Sequence, residues 1–133
     1  MKLYPNVNFF LRMYLYFDTI ISLKIEIRFF QTARGDEPVR EYIKKLSEKE
    51  RAKVEGCIYI LATTGRLDMP QGRKMVGQKD LFEIRSGRHR ILYTFYGEEI
   101  VLLNAFMKKS QETPKRELEL AVRRLINYVS LGG

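Results

Sequence analysis

The sequence predicts a single α+β domain, a mostly antiparallel, twisted sheet packed against a helical hairpin, in the order β-α-α-β-β-β-α. Three observations carry that expectation. Residues 23–30 alternate apolar and charged side chains, as a half-buried strand does. Residues 38–65 change to helical spacing with a break at Ser47. From Asp80 to Lys108, three runs rich in β-branched and aromatic residues are separated only by Ser86-Gly87 and Gly97-Glu98, the pattern of a meander.

The 133 residues suit one domain with a real core, placed at 23–130, preceded by an extension at 1–22. Phe9, Phe10, Leu11, Met13, Tyr14, Leu15, Tyr16 and Phe17 make that extension apolar, but Arg12 and Asp18 interrupt it. It is too short and broken to span a membrane, and no A-x-A-like cleavage site follows. The expectation is an added strand or helix covering the domain, or translation begun upstream of a natural start at Met13.

In the first strand Leu23, Ile25, Ile27 and Phe29 oppose Lys24, Glu26 and Arg28, and Gly35-Asp36 ends the run. Val39, Tyr42, Ile43 and Leu46 then follow helical spacing, with Pro38 in the first turn. Ser47-Glu48-Lys49-Glu50 has the form of a capping box. It opens a second helix with the stripe Val54, Cys57, Ile58 and Leu61, which stops near Gly65. Residues 65–80 read as a polar connection holding Gly65, Pro70, Gly72 and Gly77, with Arg66, Arg73, Lys74 and Lys79. Its length is above the usual loop range. In the meander, Phe82 and Ile84 oppose Glu83 and Arg85, while Ile91, Tyr93 and Phe95 oppose Arg90 and Thr94. The last helix, from Pro114 to Val129, aligns Leu118, Ala121, Val122, Leu125 and Val129, with Thr113 expected to cap it.

Lys and Arg number 24 against 16 acids, a formal charge of +8. That excess favours a polyanion or an acidic protein as partner. The single Cys57 excludes an intramolecular disulfide and a cysteine-based zinc cluster, and its apolar neighbours mark it as core. The single His89 excludes a multi-histidine metal site. No metal or cofactor is implied, and a cytoplasmic location fits best.

The basic residues are not spread evenly. Lys108-Lys109 ends the last strand, and Lys115-Arg116 opens the last helix. A helix N-terminus is the positive end of the macrodipole, so cations there point to an anion. Across the hairpin Arg85 and Arg90 adjoin, with Glu83 alongside. The bland alternative is a cross-strand salt bridge from Glu83, worth about 1 kcal/mol or less when exposed. It leaves the other cations repelling each other. Beside Arg88, His89 reads as a turn histidine, exposed and idle or an acid–base group. Tyr93 and Tyr96 can stack a base, although Tyr93 has core parity.

Leu81-Phe82-Glu83-Ile84-Arg85, Arg90-Ile91-Leu92-Tyr93, and Leu102 to Phe106 running through Lys108-Lys109-Ser110-Gln111-Glu112-Thr113-Pro114-Lys115-Arg116-Glu117 resemble the HigB-like, phage-associated branch of the RelE/ParE toxin superfamily. Ile27-Arg28-Phe29-Phe30, Gly35, Pro38-Val39 and Tyr42 agree with it. The resemblance, over residues 24–129, implies a RelE-like fold and a type II toxin that cleaves mRNA in the ribosomal A site. It implies an antitoxin partner with a helix-turn-helix domain of the HigA kind, and a toxin–antitoxin hetero-oligomer. Carried over, Arg90 matches the arginine facing the scissile phosphate, Arg85 a neighbouring basic position, and Lys109 the basic residue ending the last strand. Lys108, Lys115, Arg116, Lys74, Lys79, Arg88 and His89 are expected on the RNA or the ribosome. The chain departs from the family pattern at Leu81 and Glu83, where RelE has lysines, and lacks Tyr or His after Lys109. Glu83 is then the candidate acceptor of the 2′-OH proton. Two other functions stay open: gyrase inhibition of the ParE kind, and ribosome or RNA binding without cleavage.

Overall fold

The computed structural model describes residues 25–75, 80–110 and 112–132. In chain order these form β1 Glu26–Phe29, α1 Pro38–Lys44, α2 Glu48–Thr64, β2 Gly72–Lys74, β3 Phe82–Ser86, β4 His89–Tyr96, β5 Glu99–Met107 and α3 Lys115–Ser130. The expectations for the 1–22 extension, Leu23, Lys24, Gly77 and Lys79 lie outside the described residues.

The strands make one sheet in the order β1-β5-β4-β3-β2. β1 runs parallel to β5, and every other pairing is antiparallel. Helices cover both faces. α1 and α2 pack over Ile84, Ile91, Tyr93, Ile100 and Leu102 through Val39, Ile43, Val54, Cys57 and Leu61. α3 packs through Ala121 against the other face, over Leu92, Val101, Leu103 and Phe106. The α+β reading and the helical hairpin are thus borne out, with one addition to the element order.

That addition is β2, inside what reads as a polar connection. Its three residues pair with β3, Arg73 opposite Glu83. Gly72 makes it possible, because a Cβ there would collide with the Leu67 carbonyl oxygen. Its N–H donates to the Asp68 carbonyl at 2.9 Å, folding the 65–71 segment back against the strand.

Helix ends follow local chemistry. Ser47 Oγ accepts from the Glu50 N–H at 3.2 Å while Glu50 Oε1 accepts from the Ser47 N–H at 3.4 Å, so the capping box is formed. Gly65, at φ 78°, ends α2 in the left-handed region that glycine tolerates. The start of α3 differs from expectation. Pro114 occupies the cap position with ψ 136°, Lys115 is the first helical residue, and no side chain caps the turn. Thr113 is drawn away to the sheet instead. The first turn is held by Asn104, whose Nδ2 donates to the Glu117 carbonyl at 3.1 Å and to Glu117 Oε1 at 2.9 Å. A β-bulge makes this reach possible: Leu92 pairs with Asn104 and Tyr93 with Leu102, so Leu103 is the extra residue. Leu103 and Asn104 consequently both meet α3.

Candidate anion site on the α3 face of the sheet

Strand alternation sends Arg73 of β2, Glu83 and Arg85 of β3, and Arg90 of β4 to the face that also carries α3. Arg85 lies directly across from Arg90. Glu83 is 1% exposed and forms the floor. Its Oε1 is 3.5 Å from Arg73 Nη2, 3.9 Å from Arg85 Nε and 4.0 Å from Arg90 Nε. Its Oε2 accepts from the Thr113 hydroxyl at 3.1 Å. One carboxylate therefore faces three guanidiniums.

Arg90 is the most constrained of the three. Its Nη1 donates to the Gly87 carbonyl at 2.8 Å and the His89 carbonyl at 2.9 Å, which fixes the fork against the β3–β4 turn. Burial holds its pKa below the ordinary arginine value; Glu83 pulls it back up, and Arg85 and Arg73 push it down. Charged groups are buried only at a cost that a partner must offset. Arg73 shows the same imbalance, because its Nε is buried with no hydrogen-bond partner among the described residues.

Beside Arg90 a cleft of about 480 Å³ is lined by Gly87, Arg88, Arg90, Lys108, Lys109 and Ser110. The Lys108 N–H donates to the Arg88 carbonyl at 2.7 Å, which ties the turn to the end of β5. Arg85, Arg90, Arg88, Lys108, Lys109 and Glu83 thus form a connected basic site. Lys115 and Arg116 stand exposed at the start of α3, and Arg116 Nε lies 3.9 Å from Glu117 Oε2. Lys74 is exposed on β2 and, opposite Phe82, belongs to the other face.

His89 departs most from its expected place. It is 5% exposed, not an exposed turn residue. Its parity is that of Ile91 and Tyr93, so the ring turns toward the helical hairpin. Nδ1 lies 2.7 Å from the Tyr42 hydroxyl and Nε2 lies 3.1 Å from Glu50 Oε2. A neutral ring with the proton on Nε2 satisfies both contacts: it donates to Glu50 and accepts from Tyr42. The His89 bond, with further bonds from Ser47, holds the Glu50 carboxyl below its usual range. His89 ties α1 and α2 to the sheet and is separate from the basic site.

Sequence reasoning missed Arg73 and Thr113 as members of the site. A strand of three residues offers no period to read, so Arg73 passed for a loop cation. Thr113 precedes a proline and a helix, and capping is the ordinary use of that position.

The arrangement can bind an anion with more than one oxygen, since guanidinium forks match phosphate geometry and the Glu83 floor holds them in register. Among the described residues no group of three or more His, Cys, Asp or Glu is placed to hold a metal ion. No helix among them is long and apolar enough to cross a membrane.

The fold resembles that of a mutant of the E. coli toxin RelE in the free state, with a TM-score of 0.54, 18% identity, and coverage of 77% of this chain and 98% of that one. The toxin–antitoxin complex RelBE2 from Mycobacterium tuberculosis gives a TM-score of 0.41, 19% identity, and coverage of 65% and 94%. No curated protein sequence matches the chain. Residues 41–126 match the family described as Phage derived protein Gp49-like, and the chain belongs to that family. The expectations of a phage-associated family and of a RelE-like fold are borne out.

Proposed function

We propose that this protein is the toxin of a type II toxin–antitoxin pair, a ribosome-dependent mRNA endoribonuclease that inhibits translation in the cytoplasm. The observation that carries the reading is the convergence of Arg73, Arg85 and Arg90 on the buried Glu83. The excess positive charge there needs an anion, and an mRNA phosphate supplies one. In this reading Arg90 and Arg85 grip the scissile phosphate. They stabilise the charge that builds on phosphorus as the neighbouring ribose 2′-OH attacks it. Lys109, across the cleft from Arg90, assists the departing oxygen. Lys108, Arg88, Lys115 and Arg116 hold flanking phosphates of mRNA or ribosomal RNA. The antitoxin, with a helix-turn-helix domain of the HigA kind, covers the basic face in a hetero-oligomer.

Glu83 has two candidate roles that one variant separates. As a counter-ion it keeps the arginines parallel to the sheet. As a base it takes the 2′-OH proton after the ribose hydroxyl replaces Thr113 on Oε2. Glu83→Gln abolishes cleavage with ribosome binding intact if Glu83 is the base. If it is a counter-ion, the loss extends to binding and to stability.

A second reading has its own support. Both Glu83 oxygens are engaged within the protein, and His89 lies on the opposite face. A site with cations but no free proton acceptor fits a toxin that binds without cutting, as a gyrase inhibitor of the ParE kind or a ribosome or RNA binder. Mapping mRNA 5′ ends after induction decides between them. Codon-phased ends support the nuclease, and DNA-damage signalling with intact mRNA supports gyrase inhibition.

A further inference from the structure

The basic site ends at β2, and around the edge of that strand lies an unassigned groove of about 430 Å³. Its apolar side is built by Phe82, Tyr93, Phe95 and Met69, and Arg66, Arg73 and Lys74 also line it. Phe82 stacks on Tyr93 with centroids 5.5 Å apart and planes 24° from parallel. Phe95 meets Phe82 edge-on at 5.2 Å and is 38% exposed. Met69 is 63% exposed. Tyr93 is only 2% exposed overall and lines the groove.

We infer that this groove takes one unpaired nucleobase of an RNA strand whose phosphates pass over the edge of β2. The inference rests on the RNA-binding reading above and extends it. Arg73 and Lys74 are consecutive on an edge strand and so straddle it, one toward the Glu83 site and the other toward the groove. A chain crossing between them meets a cation on each side. The aromatic wall supplies stacking, which any base accepts, and the Tyr93 hydroxyl supplies a hydrogen bond to a base edge. An apolar side chain from a protein partner fills the same volume but makes no use of the cations on either side of the strand. Arg66 is largely engaged with Asp68, 2.7 Å away, so it borders the groove without adding free charge.

The test uses the full chain and a fluorescein-labelled single-stranded RNA nonamer with 2′-O-methyl riboses, which cannot be cleaved. Phe95→Ala is expected to weaken binding about 5- to 100-fold, the range of one lost base–aromatic stack. Tyr93→Phe keeps the ring and removes the hydroxyl, with an expected loss of about 3- to 10-fold. Scanning an abasic site along the nonamer should find a position that weakens wild-type binding by as much as Phe95→Ala and costs the variant nothing further. Circular dichroism confirms that each variant is folded. Wild-type affinity in folded Phe95→Ala, with binding lost in Arg90→Ala, overturns the groove and leaves the phosphate site standing. RNA binding unchanged but antitoxin binding weakened assigns the groove to a protein and overturns the inference. Failure of the wild type to bind the nonamer overturns the groove inference, while ribosome-dependent cleavage is judged separately by mapping the 5′ ends of translated mRNA.

Discussion

Two buried polar clusters sit on opposite faces of the same strands, and they are built differently. On the hairpin face His89 meets one hydroxyl and one carboxylate, and every polar atom of the ring is matched. On the α3 face Glu83 meets three guanidiniums and a hydroxyl, and Arg73 keeps a buried N–H with no partner among the described residues. The first cluster is complete without a ligand. The second has donors left over. Matched groups of this kind hold a fold together, whereas a surplus of one charge at a partly open surface calls for something from outside.

The largest effect that breaks the comparison comes from Glu83→Gln. Removing the shared anion leaves the buried Arg90 and the partly exposed Arg73 and Arg85 without their counter-charge, at a cost of at most about 3–5 kcal/mol, the figure for a broken buried pair. Urea unfolding should show a loss of that order, partly restored by inorganic phosphate. The same phosphate should stabilise His89 variants as much as it stabilises the wild type, because their arginine site is intact. If phosphate fails to stabilise both the wild type and Glu83→Gln, the surplus charge is not an anion site.

His89→Phe keeps a ring and strands the Tyr42 hydroxyl, for an expected loss of about 1–2 kcal/mol in the same assay. RNA affinity should not change, because His89 lies across the sheet from the arginines. A drop in affinity without unfolding would join the two clusters functionally.

A smaller effect concerns acid stability. The folded-state pKa of Glu50 lies below the ordinary value of 4.5, first because of the His89 bond. Its contribution is therefore present above that ordinary value and fades as pH falls through the depressed one. Glu50→Gln should flatten the acid limb of the stability profile below about pH 4.5 and leave the neutral region nearly unchanged. A wild-type acid limb in the variant would contradict that assignment.

The smallest effect is at Lys115 and Arg116. Both are exposed at a helix N-terminus, where a cation is disfavoured by about 0.3–1 kcal/mol. Changing either to Ala should leave stability equal or slightly higher while weakening binding to ribosomes, read by co-sedimentation at two salt concentrations.

The strands and helices were legible because each is long enough to show its period. The alternation of Phe82 to Arg85 and Arg90 to Phe95 also foretold which cations share a face. His89 was legible by the same rule, since it shares parity with Ile91 and Tyr93. Its position next to a glycine turn concealed that. β2 was not legible, because what makes it a strand is the close approach of Leu67 to Gly72, a contact that no local pattern records. Thr113 was read as a cap because sequence cannot show a carboxylate thirty residues away competing for its hydroxyl.

In the proposed function the arginines around Glu83 grip mRNA on the ribosome. The most direct test maps mRNA 5′ ends in a reconstituted translation reaction, with wild-type protein and with folded Arg85→Ala and Arg90→Ala variants. Cuts are expected in translated message alone and are lost in both variants. Undiminished cleavage by both folded variants, or equal cutting of untranslated message, would contradict it.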